Sequence, residues 1–119
     1  MVRAIRGAIT VENNDKDEIL SATKELLEKI ISENNASKED MVDIIFTLTP
    51  DLNAVFPARA AREIGFSDVP LMCMSEIPID GALEKCIRIL LTINTEKSQK
   101  EIKHVYLRGA VVLRPDLAK

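Results

Sequence analysis

Two arginines, one glutamate and the single tyrosine interrupt apolar segments of this chain, at Arg6, Glu76, Arg88 and Tyr106. A guanidinium buried among apolar residues is costly unless it is paired, and its planar fork matches the geometry of a carboxylate. Two positive charges and one negative charge on apolar strands could form a pocket for a ligand that carries carboxylates and a hydroxyl. These residue types therefore predict the binding of a small anionic metabolite.

The sequence lacks the motifs of the common catalytic and cofactor-binding classes. It contains no GxSxG, HExxH, GxGxxG or Walker sequence, and it has only four glycines for a phosphate-binding loop. One histidine is too few for a typical zinc site, and the two cysteines lack CxxC spacing. We therefore predict no metal, no cofactor and two reduced thiols.

Each candidate residue also has a purely structural interpretation. Arg6 could point to solvent from a half-exposed strand, and Glu76 could be an exposed strand end. Arg88 could form a structural salt bridge with Glu76. Cys73 could be a small buried hydrophobe, and Tyr106 could be a core residue. The residue types alone leave both interpretations open.

The apolar pattern predicts the elements that carry these side chains. Loose alternation over residues 2–11 predicts a strand, and helical spacing over residues 19–31 predicts a helix that ends near residues 34–35. Asp15 followed by Glu18 resembles a capping box at the start of that helix. The first half of the chain therefore begins as a strand followed by a long amphipathic helix.

The rest of the chain is richer in strands. Residues 83–94 are ambiguous between helix and strand, but the run 87–93 favours a strand buried on both faces, with Arg88 as the exception. The order β-α-β-α-β-β-β predicts an α/β (α+β) domain with a mixed β-sheet. The remaining predicted elements are strands at 41–49, 69–77 and 105–113, and a short helix at 54–64 with Gly65 as its C-cap.

Cys73 and Glu76 create a conflict within the third predicted strand. They are three residues apart, so a regular strand points their side chains to opposite faces. Either the strand ends or bulges before Glu76, or only one of the two side chains reaches a ligand.

Length and charge limit the class of protein. A chain of 119 residues fits one domain, taken as residues 1–119, and 46% hydrophobic with 29% charged residues is typical of a globular protein. A net charge of −3 without a basic block argues against nucleic-acid binding. No apolar segment is long enough to cross a membrane and no signal peptide is visible, so we expect a cytoplasmic protein.

Five segments resemble, in order, the AroH class of monofunctional chorismate mutases, and together they cover nearly the whole chain. The all-helical chorismate mutases are a different class, which the strand-rich pattern does not resemble. The resembling segments lie within residues 3–12, 49–58, 69–76, 85–88 and 104–117.

The resemblance implies a homotrimer in which the subunit sheets form a pseudo-α/β barrel, with helices on one side of the sheet and active sites between subunits. It implies a cofactor-free isomerase that converts chorismate to prephenate in phenylalanine and tyrosine biosynthesis. This reaction is an intramolecular Claisen rearrangement, which needs no nucleophile, proton transfer or metal. The missing motifs are then an expected absence.

The resemblance also assigns roles to residues at matching positions. Arg88 and Glu76 are the implied catalytic residues, with Arg88 at the breaking ether oxygen and Glu76 at the ring hydroxyl. Arg6 and Tyr106 would contact carboxylate and ether oxygens, and Cys73 would contact the ring hydroxyl. The implied substrate-binding set is Arg6, Phe56, Arg59, Arg62, Met72, Cys73, Met74, Ser75, Glu76, Arg88, Tyr106 and Leu113, of which Phe56, Arg62 and Leu113 would line or close the cleft.

The chain departs from the family pattern at two positions, and its C-terminal tail is also short. Met72 stands where a threonine is expected, so any side-chain hydroxyl contact at this position is lost, although backbone contacts could persist. Arg59 stands where a lysine is also familiar, which preserves the charge. The C-terminal tail is short, which argues against a lid role for residues beyond Asp116.

Three other functions would use the same residues. The first is a non-catalytic trimeric binding module for a small carboxylate. The second is a deaminase or hydrolase of similar architecture, which would need a positioned water and an acid/base group. The third is a structural assembly protein, in which Arg6 and Arg88 pair with carboxylates across an interface. Turnover of chorismate separates the predicted enzyme from the binding module. A strong pH dependence would indicate the deaminase or hydrolase, and a ligand-induced rise in melting temperature would argue against the assembly protein.

Overall fold

The computed structural model describes residues 1–114, which form five strands and two α-helices. The strands are β1 (Val2–Thr10), β2 (Met41–Leu48), β3 (Leu71–Ser75), β4 (Cys86–Asn94) and β5 (Val105–Leu107), and the helices are α1 (Lys16–Asn34) and α2 (Ala58–Glu63). Short 3₁₀ segments occupy Lys38–Asp40, Gln99–Glu101 and Arg108–Leu113. Residues 115–117 of the resemblance, and the tail beyond Asp116, lie outside the described residues.

The strands form one mixed sheet in the order β3-β2-β4-β1-β5. The central strand β4 is antiparallel to β1 and β2, while each outer pair, β1 with β5 and β2 with β3, is parallel. Helix α1 packs on β1 and β4, and α2 packs on α1 and β3. The predicted mixed sheet with helices on one side is therefore confirmed.

Helix α1 begins and ends with caps that satisfy its free backbone groups. The Asp15 carboxylate accepts from the Glu18 backbone N–H at 3.0 Å, as the capping pattern predicts. The Glu18 carboxylate accepts from Asn13 N–H at 3.3 Å, so the reciprocal contact is made two residues further out. Asn35 closes the helix in the left-handed region at φ 50°.

Gly7 allows α1 to approach the sheet closely. A Cβ atom at this position would lie 2.6 Å from Ile30 Cδ1 and 3.1 Å from Leu26 Cδ1, both on the buried face of α1. Neighbouring residues on β1 point away from the helix, because side chains alternate along a strand. Arg6 and Ala8 therefore lie on the face of the sheet opposite α1, which we call the open face.

Alternation divides β4 between the core and the open face. Ile87, Ile89 and Leu91 are buried on the α1 side, whereas Arg88 and Leu90 are only half-buried on the open face. The strand predicted for residues 87–93 is confirmed. The prediction that this strand is buried on both faces is wrong within residues 1–114, because its open-face side chains are only half-buried. The 3₁₀ segment Arg108–Leu113 packs over one end of the open face and leaves the rest uncovered.

Three predicted boundaries need correction. The last strand ends at Leu107 instead of 113, because Arg108 adopts a left-handed φ of 54° and the chain turns into a 3₁₀ segment. The helix predicted at 54–64 begins at Ala58, because Pro57 disfavours helical geometry in the residue before it. Strand β3 likewise starts after Pro70. The C-cap of α2 is Ile64, and Gly65, which was predicted as the C-cap, is the next residue, at φ 97°.

Candidate active site

One row of side chains crosses the open face and includes the central candidate residue. Cross-strand pairing aligns Met74 on β3 with Thr47 on β2, Thr47 with Arg88 on β4, Arg88 with Ala8 on β1, and Ala8 with Tyr106 on β5. Directly paired residues point to the same face of a sheet. Arg88 and Tyr106 therefore flank the small side chain of Ala8 on the open face.

Glu76 joins this row from just beyond the end of β3. Its backbone N–H donates to the Leu48 carbonyl at 2.9 Å, and its Oε2 lies 2.9 Å from Arg88 Nε. The same oxygen accepts a 2.6 Å hydrogen bond from the Thr47 hydroxyl. The salt bridge that sequence offered as the structural interpretation of Arg88 is therefore present, and both side chains are partly accessible, at 30% and 17%.

Two buried polar atoms in this row have no hydrogen-bond partner within residues 1–114. They are Arg88 Nε, which lies near the carboxylate of Glu76 without a hydrogen-bonding alignment to it, and the Tyr106 hydroxyl. A buried donor without a partner costs on the order of 1–3 kcal/mol, so such atoms are rare outside functional sites. Their position on one face, on either side of Ala8, fits a ligand that supplies oxygen atoms to both.

Arg6 lies in the next row of the open face. It is paired with Leu90, so its side chain is a diagonal neighbour of Arg88. The Arg6 side chain is exposed, and its backbone N–H donates to His104 Nδ1 at 3.0 Å. Burial, followed by the charges of Arg114 and Arg6, lowers the pKa of His104, which keeps the imidazole neutral and able to accept this bond.

Leu113 closes one end of the same region. It packs with Leu83 against a small buried cluster that contains Ala8, Cys86 and Tyr106. Burial raises the pKa of the Cys86 thiol to about 11, and the smaller opposing effect of Arg88 does not offset it. Cys86 is therefore a protonated thiol at neutral pH.

We refer to Arg6, Glu76, Arg88 and Tyr106 together as the Arg88 cluster.

Six of the other predicted site residues line a cleft at the β3 edge of the sheet. It has a volume of about 570 Å³, and we call it the Phe56 cleft. Phe56 is 71% exposed at its rim, and Arg59 forms an ion pair with Glu63 at 3.3 Å. The predicted residues that line the cleft are Phe56, Arg59, Arg62, Cys73, Met74 and Ser75.

Cys73 points to the helix side of the sheet. It is paired with Phe46, and it packs against the main core. Burial raises the pKa of its thiol, and the Ala58 backbone N–H and the Arg62 charge offset this only in part. Strand β3 ends at Ser75, before Glu76, as one of the two predicted solutions requires.

Met72 lies apart from both groups. It is 57% exposed on the open face, where it is paired with Ile45, and it does not line the Phe56 cleft. Within residues 1–114, no member of the Arg88 cluster lines that cleft either. The cleft and the Arg88 cluster meet at the end of β3, where Ser75 lines the cleft and Glu76, the next residue, belongs to the cluster.

Sequence reasoning did not identify Thr47 or His104 as site residues. Thr47 reads as an ordinary strand residue, and its contact with Glu76 spans 29 positions of sequence. His104 is the single histidine, which the sequence suggests only as a zinc ligand without enough partners. Their contacts depend on strand register, which no local pattern reveals.

Two other site types find no support in the described part of the chain. Residues 1–114 contain no group of three or more His, Cys, Asp or Glu side chains arranged to hold a metal ion. Among the helices described, none is long and apolar enough to cross a membrane.

Fold and site together define a small α+β protein in which an arginine and a glutamate pair on an open sheet face. The sequence matches the family described as chorismate mutase type I over residues 2–117. It is 54% identical over 119 residues to chorismate mutase AroH of Bacillus subtilis (strain 168), covering 99% of this chain and 94% of that protein. It is 51% identical over 118 residues to chorismate mutase AroH of Thermus thermophilus, covering 98% of this chain and 97% of that protein.

A solved structure shows the same fold. The chain is similar to a chorismate mutase from Clostridium thermocellum with a TM-score of 0.91 and 52% identity, covering 92% of this chain and 98% of that one. The chain therefore belongs to the chorismate mutase type I family, which makes it an isomerase enzyme.

Proposed function

We propose that this enzyme converts chorismate to prephenate in the branch of metabolism that leads to phenylalanine and tyrosine. The observation that carries the mechanism is the partnerless Arg88 Nε, buried beside the carboxylate of Glu76 and on the same sheet face as the partnerless Tyr106 hydroxyl. This arrangement offers a fixed cation, a fixed carboxylate and a hydroxyl to one ligand.

The reaction breaks one C–O bond and forms one C–C bond in a single step. Negative charge grows on the ether oxygen and positive charge grows on the ring. The protein has two tasks: to hold the enolpyruvyl arm over the ring, and to stabilise the charges as they separate. Neither task requires a nucleophile, a proton transfer or a metal.

Arg88 and Glu76 match these two charges. In the proposed complex Arg88 faces the ether oxygen, where a preorganised cation stabilises the transition state more than the ground state. Glu76 accepts a hydrogen bond from the ring hydroxyl and places negative charge near the electron-poor ring. Their 2.9 Å contact supports this proposal, because it fixes the two charges relative to each other before substrate binds.

Arg6 and Tyr106 complete the proposed binding of the dianion. Arg6 is a diagonal neighbour of Arg88 on the open face, so its guanidinium is placed to bind a carboxylate. The Tyr106 hydroxyl supplies a donor on the other side of Ala8. Leu113, which packs beside this cluster, would cover the bound ligand.

We further propose that the enzyme is a homotrimer with its active sites between subunits. Within the described residues, no member of the Arg88 cluster lines the Phe56 cleft of the same chain, which supports this proposal, because the cleft of one subunit can complete the cluster of the next. Exposed apolar side chains on the open face, such as Met72 and Met74, also support burial by a second copy. In this assembly Arg62 and Arg59 add positive charge, and Cys73, Met74 and Ser75 line the wall.

The proposed location is the cytoplasm. Both Cys73 and Cys86 are free thiols, which suits a reducing compartment.

Turnover of chorismate tests the proposed function. We expect the purified protein to consume chorismate, followed by its ultraviolet absorbance, and to form prephenate in equal amount without added metal or cofactor. Chorismate that raises the melting temperature but is not consumed would identify a binding module instead. Consumption that yields a hydrolysed or deaminated product would identify one of the other enzyme classes.

The rate should depend little on pH near neutrality. The resolved pKa shifts move the local groups away from this range: burial raises the pKa of Cys86 to about 11, raises that of Cys73, and lowers that of His104. We therefore expect kcat to be flat between roughly pH 7 and 8.5, because no proton is transferred. A bell-shaped kcat profile centred in this range would contradict the pericyclic mechanism.

A further inference from the structure

Thr47 lies beside Arg88 on the open face and contacts the carboxylate of Glu76 directly. Its hydroxyl donates to Glu76 Oε2 at 2.6 Å, and Arg88 Nε lies 2.9 Å from that same oxygen. One carboxylate oxygen therefore has two neighbours from adjacent strands.

The two neighbours act on the carboxylate in different ways. The Thr47 contact has the short length of a charge-assisted O–H···O⁻ hydrogen bond. Arg88 Nε makes no hydrogen bond to any residue in 1–114, so its contact with Glu76 is an ion pair without directional alignment. The direction of the carboxylate is thus set by Thr47 rather than by the arginine.

Strand β2 holds Glu76 at a second point as well. The Glu76 backbone N–H donates to the carbonyl of Leu48, the residue that follows Thr47. Main chain and carboxylate are therefore both fixed to β2, although Glu76 itself lies beyond the end of β3. These two hydrogen bonds hold Glu76 in place although it lies outside the regular strand pairing of β3.

We infer that Thr47 is a positioning residue for catalysis, which orients the Glu76 carboxylate toward its task. By occupying Oε2, its hydroxyl leaves Oε1, which accepts no hydrogen bond within residues 1–114, for the ring hydroxyl of the substrate. This inference rests on the proposed function and adds a residue to it.

Without the Thr47 hydroxyl, the carboxylate would remain near Arg88 but could rotate. The oriented charge matters more in the transition state than in the ground state, so kcat should fall more than KM rises. A hydrogen bond to a charged group is strong enough to account for about a tenfold change in rate.

The direct test compares Thr47→Val with Thr92→Val. Thr92 is also half-buried on the open face, in the row formed with Asp43 and Ala4, away from Glu76. We expect Thr47→Val to lower kcat about tenfold, Thr47→Ser to restore most of it, and Thr92→Val to leave it within about twofold. The two valine variants should have the same melting temperature, which shows that both fold equally well. If they do not, Thr47→Ala, which removes the hydroxyl with a smaller side chain, replaces Thr47→Val in the comparison.

A second comparison shows whether Thr47 acts through Glu76. In a Glu76→Ala background, Thr47→Val should cause no further loss of kcat, because the group that it orients is gone. An equal loss in both backgrounds, or a Thr47→Val rate equal to that of Thr92→Val, would overturn the inference. A wild-type chain that leaves chorismate unchanged would overturn the proposed function, so the two failures are distinguishable.

Discussion

Replacing Arg88 by alanine should lower kcat for chorismate by at least about 10³-fold. Removing one neutral preorganised donor from an enzyme site costs on the order of 10²–10³-fold, and a fixed cation at a developing oxyanion should contribute more. Arg88 is held at the centre of the sheet by pairing on both sides, with Ala8 and Thr47. Its position is therefore set by the fold before substrate arrives, and initial rates of chorismate consumption measure the loss.

Two further variants show whether the lost rate depends on the guanidinium group of Arg88, on its charge alone, or on a general effect of removing an arginine from the sheet. Arg88→Lys keeps the charge but lacks the guanidinium fork, so it should recover only part of the lost rate. Arg3→Ala is the matched control, because Arg3 lies on β1, faces away from the Arg88 cluster and bonds the Lys97 carbonyl at 3.1 Å. It should keep kcat within about twofold. Full turnover by Arg88→Ala would remove Arg88 from the mechanism.

Much of the fold could be predicted because its strongest signals are local. The repeat of apolar residues along α1 follows the helical period, and the β-branched run of β4 matches a strand. The end of β5 could not be predicted, because residues 111–113 are as apolar as a strand and the break depends on the left-handed backbone of Arg108. The Thr10 side chain then accepts the Gly109 N–H at 2.9 Å, a contact across 99 positions of sequence.

The candidate residues could be chosen by residue type, but their geometry could not be predicted. Charged residues in apolar strands identify Arg88 and Glu76, and even their pairing is foreseeable. The prediction that β4 is buried on both faces was wrong, because an apolar sequence indicates that a strand is buried without showing whether residues of the same chain bury it. Thr47 could not be identified from the sequence, because strand register, not local sequence, places it beside Arg88.

Two inactive variants should restore each other's activity if the active site forms between subunits. Arg88→Ala disables the Arg88 cluster, while Arg62→Glu reverses a charge in the Phe56 cleft and should repel the dianionic substrate. Arg62 is exposed on α2, so its replacement should not impair folding. Each variant alone should be nearly inactive, since every one of its sites carries the same defect.

Co-expression with two different affinity tags, followed by sequential purification on both, isolates the mixed oligomers. In a cyclic trimer containing both chains, one subunit boundary joins an intact Arg88 cluster to an intact Phe56 cleft, so about one third of the sites should be active. Arg88→Ala mixed with Glu76→Ala is the control, because both changes affect the same cluster and no boundary is intact. If the first mixture is no more active than the control, the two groups of residues do not combine across subunits, and the site must be completed within one chain.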